Sequence, residues 1–151
     1  MSHPAPDAAG SLTVSLTDRT AYSYWTRDHV RFQDLDRLGH VNNVAFAVYC
    51  ETGRVDFAEA TCPGSTAGTG IGWTIVRLLI DFRAQAHYPG DVMIGTRVLK
   101  LGTSSCRIGQ GLFMDDVCFA TADSVMVWTD VAAGRSLPLP DDLRAAMGRY
   151  L

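Results

Sequence analysis

One change in hydrophobic period divides the chain and most restricts the folds it can adopt. Between residues 44 and 60, apolar side chains recur at helical spacing, which predicts a helix of about four to five turns. From residue 73 onward the period is two, which predicts four strands, over 73–83, 91–101, 104–114 and 117–131. The breaks between the later strands are shorter than the dozen or so residues of a parallel crossover, so antiparallel pairing is expected.

The remaining segments complete a single-domain prediction. Residues 22–32 are rich in aromatic and β-branched types, which indicates one more strand ahead of the helix. Residues 1–20 lack a clear period and are expected to form a mobile N-terminal tail, which leaves 21–151 as one domain. A short C-terminal helix is expected over 141–151. The predicted fold class is therefore α+β, with one long helix and a five-stranded antiparallel sheet.

One helix can cover only one face of such a sheet. The predicted strand over 117–131 carries Ala122, Met126 and Trp128 on one face, and these side chains are poorly suited to water. A second subunit is the simplest cover for them, which predicts a homo-oligomer.

Three residues in the middle of the predicted helix call for comment. Gly53 costs roughly 1 kcal/mol relative to Ala in a helix interior, and close packing against the sheet is the expected reason for it. Glu51 and Arg54 are three residues apart, so a surface ion pair is the simplest interpretation of the two.

Charge and cysteine content exclude several classes of function. The formal net charge is -3, from 13 basic and 16 acidic residues, and no basic stripe indicates a nucleic-acid partner. No apolar run reaches the roughly 18–20 residues of a membrane span, and the N-terminus does not resemble a secretory signal. The 4 cysteines form no CxxC pair and no His cluster accompanies them, so we expect no metal, no cofactor and a cytoplasmic protein with reduced thiols.

The densest cluster of reactive residue types lies in the loop ahead of the predicted helix and contains Asp34, Asp36, His40, Asn42 and Asn43. Free amides at a helix N-terminus carry roughly half a positive charge and can polarise a carbonyl group. A carboxylate held opposite them would serve as a nucleophile or as a general base for water. The arrangement therefore suits acyl transfer or hydrolysis, with the amides stabilising the oxyanion.

Purely structural interpretations of the same residues stay open. Asp36 and Gly39 fit the first and fourth positions of a type I turn. His40 can form a hydrogen bond within the loop, and Asn42 or Asn43 is a good N-cap for the helix. A capping residue can still direct its backbone amide at a substrate.

The loop resembles the hotdog-fold acyl-CoA thioesterases, including the 4-hydroxybenzoyl-CoA thioesterase group. The most specific match is the Asp-x-Asp-x-x-Gly-His-Val-Asn-Asn run over 34–43. Softer matches follow in the expected order up to about residue 140: Tyr49, Glu51, Arg54, Ile80, Asp81, Phe82, Pro89, Gly90, Asp91, Leu101 and the 135–140 segment. The resemblance implies a sheet wrapped around one central helix and a thioesterase that hydrolyses acyl-CoA or acyl-carrier-protein thioesters to free acid and thiol.

The resemblance also implies roles for single residues. Asp36 stands at the position of the catalytic carboxylate, and Asn43 at the position whose backbone amide contacts the thioester carbonyl. Asp34, the first acid of the motif, is expected to be structural. Plant acyl-carrier-protein thioesterases place a functional His where His40 stands, but they have an Asn at the position of Leu38, so the role of His40 stays open.

Substrate binding and assembly are implied in the same way. In the 4-hydroxybenzoyl group the loop after the third strand meets the coenzyme, and the corresponding residues here are Lys100, Gly102, Thr103, Ser104 and Ser105. CoA would be part of the substrate rather than a cofactor. The family pairs its sheets into a dimer with one continuous sheet and active sites at the subunit interface, so a homodimer or homotetramer is expected.

Two other functions stay possible at this stage. A hydratase or dehydratase of the same fold would use a group such as His40 to move a proton beside the thioester carbonyl. A non-catalytic acyl-thioester-binding protein is also compatible, because a fold does not determine a function. The sequence does not reveal the acyl group, nor whether CoA or a carrier protein holds it.

Overall fold

The computed structural model describes residues 14–151 and contains two α-helices and six strands in that range. In chain order the elements are β1 (Tyr24–His29), α1 (Asn43–Thr61), β2 (Ile71–Phe82), β3 (Asp91–Leu101), β4 (Ser105–Met114), β5 (Val117–Asp130), β6 (Arg135–Ser136) and α2 (Asp141–Gly148). The predicted long helix and four later strands are present, with ends that differ by no more than about two residues. Neither helix is long and apolar enough to cross a membrane.

The strands form one antiparallel sheet in the order β1-β3-β4-β5-β2, and β6 pairs with the end of β5. The α+β hotdog architecture is confirmed, with one difference from the predicted five strands. The sequence analysis missed β6, because two residues are too few to show a period. The first strand is also shorter than the predicted 22–32 segment, since a 3-10 turn occupies Phe32–Asp34.

α1 packs across the inner face of the sheet, and Gly53 marks the closest approach. A Cβ at this position would lie 2.6 Å from Ile94 Cγ2 and 2.7 Å from Gln110 Nε2. The close packing predicted for this glycine is therefore confirmed. On either side of it, Phe46 contributes to one hydrophobic cluster and Phe57 to a second.

The apolar face of β5 that was expected to need a second subunit is covered within the chain. Met126 and Trp128 pack in the same cluster as Leu143 and Met147 of α2. Ala122 lies in the cluster beneath the first half of α1. The earlier interpretation was wrong because the alternating pattern does not reveal which face of a strand points inward.

Exposed apolar side chains lie elsewhere, on β2 and on the neighbouring side of α1. β2 is an edge strand, and Val76 and Leu79 on it are 60% and 47% exposed. Val44 and Val48 of α1 are 64% and 45% exposed. Among residues 14–151, β2 thus has a long free edge beside an apolar helix surface, the combination that usually marks an interface.

Part of the predicted mobile N-terminal tail is packed against the sheet. Residues 1–13 lie outside the described residues. Leu16 lies over Gly109 on the outer face of β4, and its carbonyl accepts a 2.6 Å hydrogen bond from the Tyr22 hydroxyl. Residues 14–20, assigned to the tail by the sequence analysis, are therefore held against the sheet.

Candidate active site

A tight hairpin over residues 34–42 leads into α1 and contains most of the polar cluster. The Asp36 N–H donates to the His40 carbonyl at 2.8 Å, and the Gly39 N–H donates to the Asp36 carbonyl at 3.1 Å. Gly39 has φ +78°, in the left-handed region that glycine adopts without strain. The turn predicted from Asp36 and Gly39 is therefore present, and it brings Asp36 and His40 side by side.

Asp34 fastens this hairpin to the helix. Its Oδ2 accepts hydrogen bonds from the Tyr49 hydroxyl at 2.6 Å and from the Arg31 N–H at 2.8 Å. Its carbonyl accepts from the Asn42 N–H at 2.8 Å. Burial, together with the hydrogen bond to the Asp34 carboxylate, holds the pKa of Tyr49 above its usual value, so the hydroxyl stays a donor. These contacts agree with the structural role expected for Asp34.

Tyr49→Phe is expected to lower the free energy of unfolding by about 1.5 kcal/mol, because it removes a partly buried hydrogen bond to a carboxylate. Urea denaturation measures this change. Tyr24→Phe is the matched control, since the Tyr24 hydroxyl also donates to a carboxylate, that of Asp56, but at an exposed site. The control is expected to change stability by less than about 0.5 kcal/mol. Equal effects of the two variants would contradict the proposed anchoring of the hairpin.

The two oxygens of the Asp36 carboxylate have different environments. Oδ1 accepts from the Leu38 N–H at 2.8 Å and from the His40 N–H at 3.2 Å, which stabilises the turn. No group within residues 14–151 donates a hydrogen bond to Oδ2. The structural interpretation of Asp36 therefore holds for one oxygen, while the other remains available to a substrate or a water molecule. The His40 imidazole likewise makes no hydrogen bond in the described part of the chain.

The hairpin ends at the N-terminus of α1. Asn42 is the N-cap, and its Oδ1 accepts from the Val44 N–H at 3.1 Å. Asn43 is the first helical residue and is exposed, and its N–H has no hydrogen-bond acceptor within residues 14–151. This amide, at the positive end of the helix dipole, can bind a carbonyl oxygen or an oxyanion.

The second group of predicted site residues lies toward the other end of α1. Arg144 of α2 donates to the Gly102 carbonyl at 2.6 Å, and the Leu139 N–H donates to the Thr103 carbonyl at 2.9 Å. Leu139 belongs to the hydrophobic cluster of Phe57, in the C-terminal half of α1. These contacts tie the group to α2 and to the C-terminal half of α1, whereas the hairpin lies at the N-terminus of α1. The group comprises Lys100, Gly102, Thr103, Ser104 and Ser105.

Comparison with known protein families identifies the family to which this fold and hairpin belong. The family model of the thioesterase-like superfamily matches residues 30–147, which include the hairpin, α1, the strands from β2 to β6 and all but the last residue of α2. The chain belongs to the thioesterase-like superfamily. The resemblance stated from the sequence motif is thereby confirmed.

Individual members of this superfamily have similar sequences and structures. The chloroplastic acyl-acyl carrier protein thioesterase ATL3 of Arabidopsis thaliana is 28% identical over 133 residues, which are 81% of this chain and 66% of that protein. A predicted thioesterase from Bacillus stearothermophilus has a TM-score of 0.79 at 27% identity, over 85% of this chain and 96% of the other. A Thermus thermophilus thioesterase, solved with coenzyme A and Zn, has a TM-score of 0.77 at 29% identity, over 86% and 95%.

In this thioesterase-like chain Arg54 is buried, whereas the sequence analysis expected it at the surface. Arg54 is only 7% exposed, and it donates to Gln110 Oε1 at 3.4 Å instead of pairing with Glu51 at the surface. The ion pairs found within residues 14–151 do not include Glu51. The surface-pair interpretation was therefore wrong, because β4 approaches α1 closely enough to bury Arg54. No local signal in the sequence indicates this contact.

Proposed function

We propose that the chain hydrolyses acyl thioesters of coenzyme A or of an acyl carrier protein to the free acid and the thiol. The observation that carries the proposal is the hairpin, because within residues 14–151 neither Asp36 Oδ2 nor the Asn43 N–H at its end has a hydrogen-bond partner. Two relatives support these two substrate classes. One is the acyl-acyl carrier protein thioesterase of Arabidopsis, and the other is the Thermus thioesterase solved with coenzyme A.

Each part of this site has a role in the reaction. The Asn43 N–H binds the thioester oxygen, and the helix dipole stabilises the negative charge that develops on it. Asp36 either takes a proton from the attacking water or adds to the carbonyl carbon itself, in which case water then cleaves the acyl-enzyme anhydride. The carbon–sulfur bond breaks in both routes, and the thiolate takes up a proton. His40, next to Asp36, is the candidate donor of that proton, and Asn42 keeps the helix amides in place.

Release of free thiol from a panel of short, medium, long and aromatic acyl-CoAs tests the proposal, with acyl carrier protein thioesters as the second panel. Hydrolysis releases thiol and free acid in equal amounts. With enoyl-CoA or 3-hydroxyacyl-CoA added to the panel, a hydratase or dehydratase would instead change the absorbance of the conjugated double bond and release no thiol. Tight binding of thioesters without any turnover would contradict hydrolysis and favour a binding protein.

We propose further that the active form is a homodimer joined along β2. The free edge of this strand carries unpaired backbone groups, and Val76, Leu79, Val44 and Val48 add exposed apolar surface beside it. Two copies paired along this edge would form one continuous sheet and bury that surface. The same pairing brings a second chain beside α1, because Val44 and Val48 of α1 lie next to Val76 of β2.

Val76→Glu is expected to convert the protein from a dimer to a monomer at micromolar concentration, because it places two charges in the apolar interface. Sedimentation equilibrium measures the mass directly. Val117→Glu is the matched control, since Val117 is 56% exposed at the hairpin between β4 and β5, away from β2. A wild-type chain that sediments as a monomer would contradict the dimer without affecting the proposed chemistry.

A further inference from the structure

A cavity of about 340 Å³ lies between the second half of α1 and the start of β2. Apolar side chains such as Val55, Ile75 and Met126 form much of its lining. Two hydrogen-bond donors, the Arg54 guanidinium and the Trp73 indole, also line it. No catalytic role proposed above involves either of these donors.

One of these donors has a single long hydrogen bond and the other has none within residues 14–151. The 3.4 Å bond from Arg54 Nη1 to Gln110 Oε1 is the only hydrogen bond that this side chain makes within residues 14–151. Trp73 Nε1 is fully buried and has no partner in the same part of the chain. A buried donor without an acceptor costs roughly 1–3 kcal/mol, and more when it is charged. Trp73 Nε1 is such a donor, and Arg54 has only one long hydrogen bond, which together indicate a site that a ligand with acceptor atoms completes.

The position of Arg54 is fixed by the core beneath it. Gln110 is fully buried, and its Nε2 donates to the Cys50 carbonyl at 3.1 Å, which directs Oε1 toward Arg54. Burial lowers the pKa of Arg54, while Cys50 and Glu51 oppose this shift. A guanidinium group remains protonated even so. The cavity lining thus contains a cation that is held in place, together with the Glu51 carboxylate, which forms no ion pair with it within residues 14–151.

An apolar groove runs from this cavity toward the N-terminus of α1, where its lining includes Val44, the residue after Asn43. The groove is about 420 Å³ in volume and is lined by Val44, Val48 and Leu78 among others. It shares Glu51, Arg54 and Ile75 with the cavity, so the two are adjacent along α1.

The length of the path follows from the helix geometry. From Asn43 to Arg54 the helix rises about 16 Å, because each residue adds about 1.5 Å. An extended dodecanoyl chain has a matching length. A thioester carbonyl at Asn43 would therefore place the far end of such a chain near Arg54 and Trp73.

We propose that this cavity selects acyl thioesters that carry an oxygen acceptor, a hydroxyl or a carboxylate, at the end of the acyl chain remote from the thioester. The inference rests on the proposed thioesterase function and names its substrate class. Methylene groups occupy the apolar groove, and the terminal oxygen accepts from Arg54 and Trp73. An unsubstituted chain would exclude water from the Arg54 guanidinium and offer it no acceptor beyond Gln110, which disfavours its binding.

The test compares kcat/KM for dodecanoyl-CoA, ω-hydroxydodecanoyl-CoA and ω-carboxydodecanoyl-CoA. Wild type is expected to prefer at least one oxygenated substrate by about tenfold or more, as expected for a hydrogen bond to a charged group. The hydroxyl and carboxylate substrates distinguish a neutral acceptor from an anionic one. Arg54→Met and Trp73→Phe are expected to reduce the preference, and the second keeps an aromatic ring against Trp128.

Matched controls are Arg27→Met on the exposed surface of β1 and Trp25→Phe, whose ring packs against Tyr22 and Phe113. Both are expected to keep the wild-type preference. Equal kcat/KM for all three substrates in wild type would overturn the inference and leave the thioesterase function intact. If no thioester is hydrolysed, the proposed thioesterase function is wrong. Calorimetry with the non-hydrolysable thioethers of the same three chains then tests whether the cavity binds a terminal oxygen. Equal affinities would then overturn it, and tighter binding of an oxygenated chain would support it.

Discussion

Asp36→Asn is expected to lower kcat for thioester hydrolysis by about a hundredfold or more and to leave the free energy of unfolding nearly unchanged. The asparagine keeps an oxygen that can accept from the Leu38 and His40 amides, so the turn persists. The second oxygen becomes an amide group, which can neither take a proton from water nor attack a carbonyl carbon. Thiol release under saturating substrate measures kcat, and urea denaturation measures stability.

Asp18→Asn is the matched control for this variant. Asp18 also caps a turn through its side chain, since its Oδ1 accepts from the Thr20 N–H at 2.8 Å, but it belongs to the N-terminal segment on the outer side of the sheet. The control is expected to keep wild-type kcat. If Asp36→Asn hydrolyses its best substrate as fast as wild type, Asp36 is only a turn residue and the proposed mechanism is wrong.

Gly53→Val is expected to lower the free energy of unfolding by about 3 kcal/mol, although valine is intrinsically the better helix former. The added Cβ alone would lie within 2.7 Å of both Ile94 and Gln110 side-chain atoms. Gln110 cannot move aside freely, because its Nε2 is bonded to the Cys50 carbonyl at 3.1 Å. The helix and the sheet must therefore separate, which also disturbs the support of Arg54. Urea denaturation at constant m-value measures the loss.

Gly148→Val serves as the control for helix propensity. Gly148 is the last residue of α2, and a Cβ there would meet no atom within 4 Å. This change is expected to alter stability by less than about 0.5 kcal/mol. A similar loss at both positions would show that the effect of Gly53→Val comes from the helix backbone rather than from contact with the sheet.

The sequence predicted most of the secondary structure because the relevant signals are local. The period-two segments became β2 to β5, and the helical segment became α1 with Asn42 as its cap. The hairpin of Asp36 and Gly39 was also predictable, since the two residues that close it are three positions apart. β6 was not predictable, because its two residues pair with β5 only after the chain has turned back.

The sequence by itself determined the order of the elements, the α+β class, the polar hairpin before α1 and, through its motif, the thioesterase-like superfamily. Only the tertiary structure decided that Met126 and Trp128 face inward, that the 102–105 turn lies away from the hairpin, and that Arg54 and Trp73 line one cavity. The physical reason is the range of the interactions. Periodicity, caps and turns depend on residues a few positions apart, whereas the Arg54–Gln110 contact joins positions 56 residues apart and exists only when α1 lies on the sheet.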